Sequence, residues 1–212
     1  MMLIGQYDSP FVRRVGIALT IYGLDFEHAP WSTFGDADKI AKHNPLRRVP
    51  TLVMDDRTAY VDSAAILAVV DDLVGPDRAT LARHGEDANA LLRIAAFAAG
   101  AADKGVSLLY ERVLREQAFP LWVDRCRLQI AETLDLLEAE RQLRPTRYLF
   151  DDTLSHADVM LTTMWGFISE ALEGEFEWSR WPALGAHARA CEDLAAFRDI
   201  RQPYKLVKPG ES

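Results

Sequence analysis

The apolar pattern of this chain changes character once, near residue 80, and that change limits the folds open to it. Before it, short apolar runs bounded by Gly, Pro and Asp alternate with helix-period stretches; after it, every segment reads as helix. "MLIGQY" reads as a strand and "PFVRRVGIALTIYG" as a helix, with Pro10 in its first turn and Gly23 at its C-terminal cap. Val12, Val15, Leu19 and Tyr22 share one face of that helix, with Phe11 and Ala18 beside it. "DFEHAPW" is a second strand, and residues 36–42 form a short helix or loop ended by Asn44-Pro45. "TLVM", the turn "DDR" and "TAYV" make a hairpin, followed by the helix "SAAILAVVDDLV", which Gly75-Pro76 stops.

Residues 77–84 read as a linker between an α/β domain at 1–76 and an all-α domain at 85–212. The second domain holds one long segment over 85–117, with Gly100 and Gly105 as expected bends. It continues with "FPLWVDRCRLQIAETLDLLEAERQL", "LSHADVMLTTMWGFISEAL" and one or two short helices in "WPALGAHARACEDLAAFRDI", where Pro182 suits a first turn. Ser155-His156-Ala157-Asp158 is a capping box, with Leu154 and Val159 at the positions of a hydrophobic staple. It reads as a structural device in which either side chain contributes ~1 kcal/mol. Apolar residues make up 49% of the 212, enough to pack cores in both parts.

Charge and cysteine usage exclude several functions. Lys plus Arg total 24 and Asp plus Glu 32, a net charge of −8, which disfavours nucleic acid and anionic membrane as partners. "MMLIGQYDSP" lacks the basic and apolar regions of a signal peptide, and no run is long enough to span a membrane. Cys126 and Cys191 are far apart, without metal-ligand or redox spacing; they read as reduced, buried thiols in a cytoplasmic protein that needs no metal.

The chemistry-bearing residues sit at element junctions in the first domain. Val49-Pro50 precedes the strand "TLVM". An ordinary trans proline opening a strand satisfies the dipeptide; a cis bond would turn the Val49 backbone outward, free to pair with an extended peptide. Asp62-Ser63 stands where "TAYV" hands over to a helix. Ser63 is an N-cap in this reading, and its hydroxyl with the Ser63 and Ala64 amides suits a carboxylate. Ser9 lies at the start of the first helix, beside free amides that would favour a bound thiolate over a thiol. No His or Lys adjoins it in sequence, so it does not read as a hydrolase nucleophile. "KIAKHNPLRR" is locally basic and reads either as a solvated face or as a hold for a peptide carboxylate.

Taken in order, "SPFVRRVGIAL" at 9–19, "NPLRRVPTL" at 44–52, "VDSAAI" at 61–66 and "SHADVML" at 155–161 resemble the glutathione S-transferase superfamily, over essentially the whole chain. The likeness is greatest to bacterial members with a Ser-Pro-Phe signature, and the serine is also similar to that of zeta-class enzymes. The resemblance implies a thioredoxin-like N-terminal domain, an all-helical C-terminal domain and a homodimer. It implies a cis Val49-Pro50 bond whose valine backbone holds the cysteinyl part of glutathione. It places Asp62 and Ser63 at the γ-glutamyl end, Arg48 as a further glutathione contact, and Ser9 as the thiolate-stabilising residue.

The chain departs from the family pattern in three ways. Asp62 stands where Glu is usual; Arg47-Arg48 replaces the commoner Gly-Lys or Lys-Gln; and position 9 is not Cys, which argues against cysteine-type thiol transferases. Tyr7, two residues before Ser9, is an alternative activator with the poorer placement. Phe11, Asp103, Tyr110 and Trp165 are candidates for a second-substrate pocket, and each also reads as an ordinary surface or core residue. The function implied is transfer of glutathione, as co-substrate, to a small electrophile. Two other readings stand beside it: a non-catalytic binding or regulatory protein on the same fold, and a glutathione-dependent isomerase.

Overall fold

A computed structural model of the chain describes residues 1–204. The chain divides into two compact units: Met1–Ala82 together with the chain from Leu194, and Arg83–Asp193. The first unit contains β1 (Met2–Ile4), α1 (Pro10–Ile21), β2 (Glu27–Ala29), α2 (Ala37–Ala41), β3 (Thr51–Val53), β4 (Ala59–Val61) and α3 (Ser63–Val74). The sheet order is β2-β1-β3-β4; β1 and β2 are parallel, and the other two pairings are antiparallel. A parallel pair needs a crossover, which α1 supplies, whereas the antiparallel β3–β4 pair closes through the expected short turn. Strand alternation sends Ile4 into a cluster with Ala29, Ile40 and Val53 on the α2 side, and the fully buried Leu3 to the opposite face. This is the thioredoxin-like α/β arrangement, with a helical unit after it.

Helix α1 is specified at both ends. Ser9 caps its N-terminus ahead of Pro10. At the other end Gly23, at φ 64, donates to Thr20 O while the Leu24 N–H donates to Leu19 O, the paired bonds of a Schellman motif. The helix is buried almost all round: Arg13 and Arg14 lie inside along with the apolar face the sequence predicts.

The helical stretch expected over 85–212 does not hold together to its end. Helix α8 (Ala195–Arg198) belongs with the first unit, and residues 205–212 lie outside the described residues. The reason is local chemistry: the buried Arg13 donates from Nε to Ile200 O at 3.0 Å and from Nη2 to Phe197 O at 2.9 Å. It thereby satisfies carbonyls at the end of α8 beside the buried Phe197 and Ile200.

The second unit contains α4 (Gly85–Val113), α5 (Pro120–Gln142), α6 (His156–Ala171), a 3-10 turn at Trp178–Arg180 and α7 (Pro182–Glu192). Helix α4 packs on α5 and α6, and α7 packs on both of those. The expected bends are absent, since α4 runs unbroken through Gly100 and Gly105. Gly105 serves packing instead: an added Cβ would stand 3.0 Å from Ile168 and 3.2 Å from Phe167, so its bareness lets α6 close in.

The capping box at Ser155 forms with both reciprocal bonds. Cys126 and Cys191 are free and buried, and burial pushes the Cys191 thiol up to about 12, which keeps it protonated and unreactive. Among the described residues no helix is long and apolar enough to cross a membrane.

Candidate functional site

Helix α1 organises the first unit's candidate residues. Ser9 is half-buried at its cap, where Oγ accepts the Val12 N–H at 3.5 Å. The bond uses a lone pair and leaves the hydroxyl proton available to an acceptor at the positive end of a twelve-residue helix. Burial pushes the neighbouring Asp8 carboxyl up, opposed by hydrogen bonds from the Ser9 and Asp8 amides.

Tyr7 has another task. Its ring stacks on His28, with centroids 3.8 Å apart and planes 12° apart, and an added Cβ on Gly16 would meet it at 2.9 Å. Burial raises the phenol above its usual range, so Tyr7 is a packing residue held protonated.

One turn into α1, Val12 meets the end of β1. Gly5, at φ 129, has no room for a side chain: an added Cβ would lie 2.5 Å from Val12 Cγ2 and 2.8 Å from Val49 Cβ. Gly5 therefore brings the first turn of α1 against Val49, a role the sequence reading passes over. The Val49-Pro50 peptide bond is cis. No hydrogen bond among the described residues takes up the Val49 N–H or C=O.

The loop leading into β3 is tied by Asn44, which the sequence marks only as a helix stop. Asn44 is 1% exposed; its Nδ2 donates to Arg48 O and Thr51 Oγ1, and its Oδ1 accepts the Leu46 N–H. The basic stretch resolves into paired and unpaired charges. Lys39 pairs with Asp36 and Arg47 with Asp38, whereas the exposed Arg48 guanidinium has no partner among the described residues.

At the start of α3 the cap is not the one expected. Asp62 is the N-cap, in the left-handed region at φ 71, and its carboxylate accepts the Ala64 N–H at 2.8 Å and the Ala65 N–H at 3.4 Å. Ser63 is the first helical residue. Its side chain is drawn inward instead, where Arg14 Nη1 donates to Ser63 Oγ at 3.3 Å. The Ala64 amide proposed as a carboxylate donor is thus already used, which leaves the Ser63 amide and hydroxyl. Arg14 is 5% exposed, and its buried Nε has no partner. Burial lowers Arg14 to about 10, while the nearby Asp62 charge works the other way.

Among the remaining candidates, Phe11 is half-buried on α1, and Asp103 and Tyr110 are exposed on α4, with Asp103 beside Lys104 at 3.4 Å. Trp165 is taken up by packing: it meets Trp178 edge-on at 5.6 Å and closes over Gly185. A depression that the sequence does not signal lies between the end of α4 and the start of α5, lined by Glu111, Arg115, Phe119 and Trp122.

Residues 3–78 match the family described as "Glutathione S-transferase, N-terminal domain", and residues 120–190 match "Glutathione S-transferase, C-terminal domain". The chain is 33% identical over 170 residues to "Uncharacterized GST-like protein YibF" of Escherichia coli strain K12, covering 77% of each chain. Among solved structures it resembles a glutathione S-transferase of Methylobacterium radiotolerans in complex with glutathione sulfonate, with a TM-score of 0.88 and 26% identity over 98% of this chain and 97% of that one. It also resembles a glutathione transferase family member of Pseudomonas fluorescens Pf-5 with bound glutathione, with a TM-score of 0.82 and 25% identity over 96% and 99% of the two chains.

Proposed function

The chain belongs to the glutathione S-transferase superfamily, and from that premise we propose that it binds glutathione, stabilises the thiolate and adds it to a small electrophile. Val49 offers its free N–H and C=O to the cysteinyl backbone beside Pro50, and Asp62 and Ser63 take the γ-glutamyl end. Arg48 supplies an unpaired cation near the peptide, and Ser9 donates its hydroxyl proton to the sulfur. The observation that carries this reading is the course of α1: its cap holds an unspent hydroxyl proton, and its next turn reaches Ser63. The structures with bound glutathione or its sulfonate lend the same ligand to the same fold.

A free thiol with a pKa of ~8.5 is only a few per cent ionised at neutral pH, and a hydroxyl bond at a helix start lowers such a pKa by ~1–2 units. Thiolate rises about tenfold, partly offset by weaker nucleophilicity. The sulfur lone pair then forms the new bond to the electrophilic carbon, the leaving group departs with its electrons, and the thiol proton passes to solvent. Holding the electrophile against the sulfur supplies the rest of the acceleration.

Exposed Leu92 and Phe97 on α4 leave apolar surface for a homodimer, and two buried free thiols suit a reducing, cytoplasmic setting.

Ser9→Ala should lower kcat for an aryl halide about tenfold, because the thiolate fraction falls. The glutathione Kd should stay within about twofold, and Ser9→Thr should recover most of the rate. Steady-state kinetics with calorimetry reads both quantities; unchanged kcat in Ser9→Ala would remove Ser9 from the mechanism. Tight glutathione binding without turnover of any electrophile would move the protein to the non-catalytic reading.

A further inference from the structure

Two arginines sit side by side inside α1, and only one has a structural explanation. Arg13 spends its donors on the carbonyls of Phe197 and Ile200. Arg14 is equally buried, yet it reaches a single neutral hydroxyl, that of Ser63, and its Nε is buried without a partner. Burying a cation with donors unsatisfied costs free energy that packing alone does not return. Asp62 contributes its field, while its Oδ1 accepts the Ala64 and Ala65 N–H groups.

We infer that Arg14 is a positioning residue for the carboxylate of the bound γ-glutamyl group, acting through Ser63. Because Arg14 donates to Ser63 Oγ, that oxygen is an acceptor on its inner side, and its own proton is left to face outward. A hydroxyl polarised by a cation behind it is a stronger donor to an anion in front. The guanidinium charge also lies behind the start of α3, where it adds to the helix dipole and the Ser63 amide in favouring a carboxylate. The arrangement offsets the loss of the Ala64 amide to the Asp62 cap. The inference rests on the proposed glutathione site and adds a selectivity for one charged group of that ligand.

The test measures calorimetric Kd values for glutathione and for an analogue in which the γ-glutamyl α-carboxylate is replaced by hydrogen. Wild-type protein should prefer glutathione about tenfold or more, the scale of a hydrogen bond to a charged group. Arg14→Met should bring the two Kd values within about twofold of each other by weakening glutathione alone. If Arg14→Met fails to fold, Arg14→Lys keeps the buried charge but loses the planar fork, and should still cut the preference about threefold or more. Equal weakening of both ligands in a folded variant, or no weakening, would overturn the role. A wild-type protein that binds both ligands equally would overturn it too, with the glutathione site left standing. A wild-type protein that binds neither ligand would refute the glutathione site itself, and this inference with it.

Discussion

Replacing Gly5 with alanine should destabilise the protein by about 3 kcal/mol or more, the combined scale of overpacking and a strained backbone. Both causes act at one atom. At φ 129 an L residue is held where its Cβ crowds its own backbone, and that Cβ would lie 2.5 Å from Val12 Cγ2 and 2.8 Å from Val49 Cβ. The backbone cannot swing away cheaply, since the Gly5 N–H donates to Ala29 O at 2.9 Å and its carbonyl lies 2.8 Å from His28 Nε2. The neighbours that would move are the first turn of α1 and Val49, so glutathione affinity should fall with stability. Urea unfolding with an unchanged m-value reads the first effect, and calorimetry the second. Gly100→Ala is the internal comparison: it faces open space on α4 and should be neutral or gain up to ~1 kcal/mol. A Gly5→Ala protein as stable as wild type would mean that β1, α1 and Val49 do not meet as described.

Asp158→Ala should cost about 3–5 kcal/mol, the range for breaking a buried polar network by removing one partner. Ser155→Ala should cost only ~1 kcal/mol, as for a lost cap. The capping pattern alone sets the two equal; the structure separates them. Asp158 Oδ2 accepts the Ser155 N–H at 2.8 Å and its hydroxyl at 2.5 Å. Oδ1 accepts the Leu149 N–H at 2.8 Å and lies 3.2 Å from His187 Nε2. Both ring and carboxylate are fully buried, so truncation leaves His187 and the Leu149 amide facing a void. Asp158→Asn, which keeps an acceptor oxygen, should fall between. Denaturant midpoints of the three variants decide the order; equal losses for Asp158→Ala and Ser155→Ala would reduce Asp158 to a simple cap.

What the sequence made legible was mainly local. Pro10, Gly23, Gly75 and the Ser155–Asp158 spacing act through a few neighbouring residues, and the element order and the change from α/β to helix follow from such signals. What it hid depends on partners distant in the chain. Charged residues on a helix read as a solvent face, so Arg13 and Arg14 gave no sign of burial; their partners at 63, 197 and 200 meet them only in the fold. Asp62 and Ser63 are both good capping residues, and the choice between them accompanies the pull of Arg14 on Ser63. Asn44 and Gly5 act by what they touch, a loop's backbone and a neighbouring turn, and neither contact has a spacing to read. Trp165 could have faced a pocket or a core by its helical position alone; it is half-buried, with its ring against Trp178 and over Gly185.

The proposed chemistry requires glutathione to be held by Val49, Asp62 and Ser63 with its sulfur at Ser9. Titration calorimetry of the folded protein with glutathione tests it most directly, run beside a Ser63→Ala variant. Saturable uptake by the wild type at millimolar concentration or below, weakened about tenfold in the variant, is the predicted result. Absence of binding heat at millimolar glutathione, or equal affinity in Ser63→Ala, would contradict it.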